Sequence, residues 1–334
     1  MTSNPSPDRP VLQPLPWMSP PDCVVRLSPD SLAGLGLVRI SGEQAASFLH
    51  GQLTQDVIGL PEGQARWAGY CSAKGRLSAT ARLWRTSEGY WLAVSGDLAA
   101  GLAKRLSMFV LRAKAKVQDC SADWMIFGVM GTAAHAQMQR WLQPEVSGPG
   151  NDSADAVVST DMGVRVGLPA INTPAGSLPR SLLIVAQERM ASVPADWLNE
   201  RSQDLQHWHQ AEVLAAIPRI NARTADCFVP QMVNFESVDG VNFTKGCYPG
   251  QEVVARSQYL GKLRRRMFLA QGQGPAPEPA SDLTIPGETE PAGQFVMSAA
   301  TDDGFLALFE CRTDRADQVG LHVLPLPYPL RAQE

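Results

Sequence analysis

The stretch KGCYPGQEVVAR, residues 245–256, sets a cysteine between two glycines, two residues after a lysine and five before a glutamate. A core thiol is normally flanked by apolar residues at strand or helix spacing, whereas Cys247 is flanked by turn formers and charge. Pro249 is placed to open a short helix, PGQEVVAR, whose free N–H groups would point near the sulfur, and Lys245 supplies a cation. Both favour the thiolate, the form in which cysteine attacks, oxidises or binds a metal. Gly246 and Gly250 let the chain turn, while Tyr248, Gln251, Glu252 and Arg256 add an aromatic face and polar groups. The plainer alternative is a turn in which the thiol only fills a gap. Cys247 and Lys245 are the leading candidates for chemistry.

The rest of the chain bounds what that thiol can be. At 334 residues the chain fits two or three domains. It is 44% hydrophobic and 19% charged, with 29 basic against 33 acidic residues and a net charge of -4, which argues against wholesale nucleic-acid binding. Its six cysteines lie far apart with no CxxC pair, the usage of a reducing compartment rather than of a disulfide framework or structural zinc site. Residues 1–22 are proline-rich and show no basic region followed by an apolar run, and no segment reaches the roughly 18 apolar residues of a membrane span. The expectation is a cytoplasmic protein with a disordered leader and no membrane contact.

Upstream of the motif, GLGLVRIS reads as a strand entering a helix, with Ser41 and Gln44 as a capping box and Gly51 as its stop. GQLTQDV, residues 51–57, is then a loop. Residues 66–96 read as a three-stranded meander, because Leu77, Ala79, Ala81 and Leu83 alternate with Ser78, Thr80, Arg82 and Trp84. Asp97 is read as the cap of a helix buried through Leu98, Leu102, Leu106 and Phe109, followed by VLRAKAKV as a strand carrying Arg112, Lys114 and Lys116 on one side. DLQHWHQAEVLAAIP reads as helix up to Pro218, and the turn-punctuated apolar runs beyond residue 267 suggest a small C-terminal β-barrel.

Other chemistries find little support. His207 and His209 are two apart, which on a helix puts them on different faces, so a metal role is disfavoured. His50 near Asp56 suggests acid–base work, yet no GxSxG accompanies it, and nucleotide-binding glycine loops are absent. Lys262 and Arg264 to Arg266 offer either a phosphate or tRNA contact or a charged strand edge.

FLHGQLTQDV (48–57), CSAKGR (71–76), LRAKAKV (111–117), FVPQMVN (228–234) and KGCYPGQEVVAR together resemble the YgfZ-type folate-binding proteins, relatives of the glycine-cleavage aminomethyltransferases that are implicated in maintaining iron–sulfur enzymes. The resemblance implies an α+β fold of three domains in a ring, with tetrahydrofolate or a derivative in or near the opening. The divisions expected are 1–22, 23–120, 121–257 and 258–334. Gln52, Asp56, Tyr70, Arg112, Asn234, Lys245 and Tyr248 are the folate candidates by motif position and chemistry. Where aminomethyltransferases typically read KGDFIGKE this chain reads KGCYPGQE, and KGRLSATARL replaces their aspartate-bearing GGIxDD, leaving Ser78 and Ala79 without a carboxylate. Many relatives also carry an LRIEAG-like stretch whose glutamate can grip the pterin. Here Leu214 takes that position, with Glu212 two residues earlier on another helical face.

The implied function is a folate-binding accessory protein that supports assembly or repair of iron–sulfur clusters in client enzymes, tRNA-modifying ones included. Cys247 would act as a functional thiolate or transient cluster ligand, since one cysteine cannot hold a cluster that takes four. The alternative implied is a folate-dependent aminomethyl- or methyltransferase.

Overall fold

The structure, a computed structural model, describes residues 22–31, 33–143, 153–173, 176–198, 201–259 and 263–331. The leader through residue 21, residues 146–152 of the Gly/Ser/Asp-rich loop and Lys262 fall outside these ranges.

The chain opens with β1 (Cys23–Arg26), β2 (Leu35–Ser41), α1 (Ala45–His50), β3 (Ala65–Cys71), β4 (Leu77–Thr86), β5 (Gly89–Ser95), α2 (Gly96–Val110) and β6 (Lys116–Asp119). There follow β7 (Trp124–Met130), α3 (Thr132–Leu142), β8 (Val157–Ser159), β9 (Val164–Thr173), β10 (Gly176–Ala186), α4 (Ser202–Leu214) and α5 (Gln251–Tyr259). The last elements are β11 (Arg265–Gly272), β12 (Asp282–Thr284), β13 (Pro291–Thr301), β14 (Gly304–Arg312) and β15 (His322–Leu324). The fold is thus mixed α and β.

The strands form three five-stranded antiparallel sheets, ordered β3-β4-β5-β2-β6, β1-β7-β10-β9-β8 and β12-β13-β14-β11-β15. The first contains the meander read from the sequence, in which β4 pairs β3 from Leu77 to Trp84 and β5 from Ala81 to Thr86. One face of β4, through Ala79, Ala81 and Leu83, packs with α1 and α2. Fully burying a leucine such as Leu83 contributes about 2 kcal/mol. The opposite face carries Thr80, Arg82 and Trp84, and it is buried as well, because Trp84 joins the second sheet and α4 in another core. A polar strand face therefore became an inter-sheet interface.

Several local expectations are corrected. Gln44, without a side-chain cap, precedes α1, and its Oε1 accepts from the Lys114 N–H at 2.7 Å, so no Ser41–Gln44 capping box forms. Ser95 is the N-cap of α2, while Asp97 accepts from the Ala222 N–H at 2.9 Å and so ties α2 to a remote segment. VLRAKAKV is not one strand: α2 runs to Val110, the chain turns with Leu111 at φ 44°, and β6 begins only at Lys116. Arg112, Lys114 and Lys116 are exposed, and Lys114 pairs with Glu43 at 2.8 Å. α4 ends at Leu214, four residues before Pro218, and the helix after the thiol begins at Gln251 instead of Pro249.

The expected C-terminal barrel is an open sheet among the described residues, with β12 and β15 as its edges. Its two faces feed different cores, one shared with residues 213–241 and one closed by its own loops. No described helix is long and apolar enough to cross a membrane.

Candidate thiol site and ligand cavity

The motif that opens the sequence reading is held against CSAKGR by two glycines. Gly250 has φ +77°, and a Cβ there would lie 2.4 Å from the Ser72 carbonyl and 2.5 Å from the Gly75 backbone. Only glycine permits that approach. The turn it makes delivers the chain into α5, whose Val253 N–H donates to the Gly250 carbonyl at 3.1 Å.

Lys245 reaches back to the end of α1. Its Nζ donates to the carbonyls of His50, at the end of α1, and of Leu53 in the following loop, the latter at 2.6 Å, so it satisfies a carbonyl that the helix end leaves open and ties the loop to it. It also lies 4.8 Å from the centre of the Tyr248 ring. Burial lowers its pKa to about 8, against the charges of Asp56 and Cys247, which favour the ammonium. Lys245 is therefore a clamp on the GQLTQDV loop that also sits within electrostatic reach of the thiol.

His50 and Asp56 belong to the same cluster. His50 Nδ1 lies 3.2 Å from Asp56 Oδ1 and accepts from the Val57 N–H at 3.3 Å, while a Cβ on Gly246 would stand 3.8 Å from Nε2. Burial and Lys245 lower the His50 pKa against the pull of Asp56, so the ring is neutral at pH 7. Burial works against the Asp56 carboxylate, but the Gly59 N–H at 3.0 Å, then Arg66 and His50, hold its pKa below the ordinary value. Asp56 thus stays ionised beside the imidazole, whose Nδ1 is held by the Val57 N–H.

Among the six cysteines Cys247 is exposed, Cys227 is half-buried and the other four are buried. Burial pushes the thiols of Cys23, Cys71 and Cys311 up to about 12. Nucleophilic or ligating chemistry at neutral pH is therefore concentrated at Cys247 by access. No cluster of three or more His, Cys, Asp or Glu suited to a metal occurs among the described residues.

The other sequence candidates divide by location. Gln52 and Asp56 lie on the loop that Lys245 clamps, and Gln52 Oε1 is buried without a hydrogen-bond partner. Tyr70 is buried, bridged to Leu53, and its hydroxyl accepts from Arg105 Nε at 3.1 Å. Tyr248 lies beneath Lys245, and burial raises the pKa of its phenol. Gln251, Glu252 and Arg256 ride on α5, the last two exposed. Asn234, at φ 56°, gives its Nδ2–H to the Met267 carbonyl at 2.7 Å and so anchors β11. Arg112 lies on the exposed turn after α2, apart from this cluster. Arg265 and Arg266 are committed to ion pairs with Glu310 and Glu236, the second pair buried, which removes them from any phosphate-binding patch.

Beside the cluster lies a cavity of about 710 Å³, and none of the motif-chosen folate candidates lines it. Its wall is made by Gln55, Trp67, Arg82, Phe243, Tyr259 and Tyr328, among others. Arg82 is the residue that local sequence reading missed most completely. Its Nη2 bonds the Ala154 carbonyl at 2.6 Å, Asp155 at 2.7 Å and the Gly167 carbonyl at 3.1 Å, while Nε and Nη1 are buried without partners. The guanidinium lies 4.9 Å from the Trp67 ring centre. The only signal in the sequence is one arginine on the strand face that also carries Ser78, Thr80 and Trp84.

Trp67, Arg82, Ala215 and Ile217 also line a recess of about 60 Å³, deepened by Arg180, Glu212 and Arg219. Glu212 and Leu214 do lie on different faces of α4: Glu212 lines this recess, while Leu214 packs against the core. Burial raises the Glu212 pKa, opposed first by Arg219, 3.3 Å away but off hydrogen-bond geometry, and then by Arg180.

Cavity and thiol share their walls. The Asn242 N–H donates to the Thr54 carbonyl at 2.9 Å, and Gln55 Nε2 donates to the Asp239 carbonyl at 2.5 Å. One run of chain thus passes from the cavity wall at residues 239–244 directly into Lys245 and Cys247.

No protein-family model matches the chain. It is 30% identical over 277 residues to the "tRNA-modifying protein YgfZ" of Vibrio vulnificus (strain CMCP6), covering 82% of this chain and 80% of that one. The protein of the same name from Serratia proteamaculans is 29% identical over 323 residues, covering 91% and 93%. Among solved structures, the glycine cleavage system aminomethyltransferase T of Bartonella henselae superposes with a TM-score of 0.61 at 14% identity, over 87% of this chain and 78% of that one. The fold is thus that of an aminomethyltransferase, and the chain belongs to the family of the tRNA-modifying protein YgfZ.

Proposed function

We propose that this protein is a tetrahydrofolate-binding accessory factor that supports iron–sulfur enzymes, including those that modify tRNA, and that Cys247 is its functional thiol. In this reading the three sheet units stand as a ring about the cavity. The observation that carries it is the shared wall: the segment bounding the 710 Å³ cavity continues without a break into the exposed thiol.

The cavity residues fit the ligand. A volume of 710 Å³ lies within the range of small-molecule sites. A pterin edge carries both donors and acceptors, matched in the recess by the carboxylate of Glu212 and the unpartnered guanidinium edges of Arg82 and Arg180. Trp67, Phe243 and Tyr259 offer aromatic surface to an aminobenzoyl ring. Reaction on the folate carbon is disfavoured by what replaces the enzymes' aspartate pair in this chain. Where the enzymes carry an aspartate pair, Ser78 donates to Asp226 at 2.6 Å and Ala79 is buried.

The protein's residues supply positioning and access. Lys245 holds the loop that carries Gln55 to the cavity, so the cavity wall and the thiol loop are braced by the same bonds. A cluster in transit between partners is treated as cargo: Cys247 supplies one thiolate and the client the remaining ligands. The test is calorimetric titration of wild type and Cys247→Ala with tetrahydrofolate, paired with the activity of an iron–sulfur client in cells. Folate binding by both with client rescue by wild type alone supports the reading; rescue by Cys247→Ala removes the thiol from it.

A further inference from the structure

The last described residues form a strap across the cavity mouth. Residues 325–331, PLPYPLR, contain three prolines, which restrict the backbone to extended conformations. Pro327, Tyr328 and Arg331 line the cavity. The strap is fixed at its middle and at its end: the Tyr328 hydroxyl donates to the Ala216 carbonyl at 2.7 Å, and the Arg331 N–H donates to Ser237 Oγ at 2.9 Å. The Arg331 carbonyl accepts from Arg266 Nη2 at 3.3 Å.

The charge pattern of the lining singles out the strap's arginine. Arg82 is paired with Asp155 at 2.7 Å, and Arg66 with Asp56 at 3.6 Å while it also donates to the Asp56 and Gly59 carbonyls. Arg331 has no carboxylate partner among the described residues, and its guanidinium rests 5.3 Å from the centre of the Phe243 ring. Phe243 in turn meets Tyr259 edge to face at 6.0 Å. The result is an exposed cation with its backbone pinned, seated on an aromatic wall at the open end of the cavity. Such a group discriminates ligands by an anionic end that leaves the cavity, at little cost in ordering.

We propose that the strap is the recognition element for an anionic ligand tail, with Arg331 as its charged contact, so that the preferred folate carries a γ-linked oligoglutamate tail. This rests on the folate reading. Each added glutamate brings another carboxylate past the mouth, where Arg331 is the cation free to meet it.

The test compares tetrahydrofolate monoglutamate, its triglutamate and tailless tetrahydropterin on wild type, Arg331→Ala and Arg331→Lys. Wild type is expected to bind the triglutamate about 3- to 10-fold more tightly than the monoglutamate, the size of one or two exposed charge pairs. The preference should shrink as salt rises. Arg331→Ala should bring the two forms level, Arg331→Lys should keep part of the difference, and the pterin should be indifferent to both changes. Equal binding of both forms by wild type, or an undiminished preference in Arg331→Ala, overturns the inference and leaves folate binding standing. Failure of wild type to bind any of the three overturns the folate reading and this inference with it.

Discussion

Gly250→Ala tests whether the thiol motif is held by backbone contact. The substitution places a methyl 2.4 Å from the Ser72 carbonyl and 2.5 Å from Gly75 at a residue with φ +77°. A non-glycine residue in that conformation costs about 1–2 kcal/mol. Relieving an overpacked contact against backbone, which cannot rotate away as a side chain can, costs roughly 1–3 kcal/mol more. A total near 3 kcal/mol corresponds to roughly 6–12 °C in an apparent midpoint for a chain region of 150–250 residues. The control is Gly246→Ala, where the added methyl meets nothing nearer than His50 Nε2 at 3.8 Å, so a loss below about 0.5 kcal/mol is expected. A chain of several cores need not unfold in one step, so the local readout is amide exchange at Val253 and Val254, whose N–H groups donate to Gly250. Faster exchange and a lowered midpoint are expected in Gly250→Ala alone. Identical behaviour of the two variants would show that the close approach does not hold the motif.

Three further outcomes follow from the same geometry. Iodoacetamide at neutral pH should label Cys247 first and Cys227 more slowly, with Cys23, Cys71, Cys120 and Cys311 labelled only on unfolding; peptide mapping against time decides it. Lys245, at about 8 when folded against 10.5 in the free side chain, releases its proton from the native state first. The unfolded state therefore binds more protons between those pH values, and stability relative to Lys245→Met should rise with pH across that window in paired urea titrations. Glu236→Gln leaves Arg266 as a buried, unpaired cation and should cost about 3–5 kcal/mol, with part recovered in Glu236→Gln/Arg266→Met, as a double-variant unfolding cycle would show.

What the sequence showed of the fold was local order. The meander of β3 to β5 was legible because its alternation and its Lys74-Gly75 and Glu88-Gly89 turns are local signals. Ser41, Gln44 and Asp97 were misread for the reason that a side chain suited to cap its own helix can equally bond a distant segment, as Gln44 bonds Lys114 and Asp97 bonds Ala222. The burial of the Arg82 face of β4 was not legible, because nothing in the strand itself announces that a second sheet will cover it. Similarly, Arg265 and Arg266 read as a basic run until the chain brought Glu310 and Glu236 to them.

The site was legible in the same uneven way. KGCYPGQE carries its turn, its lysine and its thiol in one contiguous stretch, and the structure places all three together. The cavity is assembled from Gln55, Trp67, Arg82, Phe243 and Arg331, which lie on separate segments and share no local pattern. Glu212 faces the recess because α4 crosses between the second and third sheets, a relation that its sequence spacing from Leu214 does not contain.

The most direct test of the account is calorimetric titration of tetrahydrofolate into wild type, Cys247→Ala and Arg82→Met. The expected result is one ligand per chain for wild type and Cys247→Ala alike, with affinity falling at least about 10-fold in Arg82→Met, which lacks the buried guanidinium edge. No binding by wild type, or undiminished binding by Arg82→Met, would contradict the claim that the cavity is a folate site.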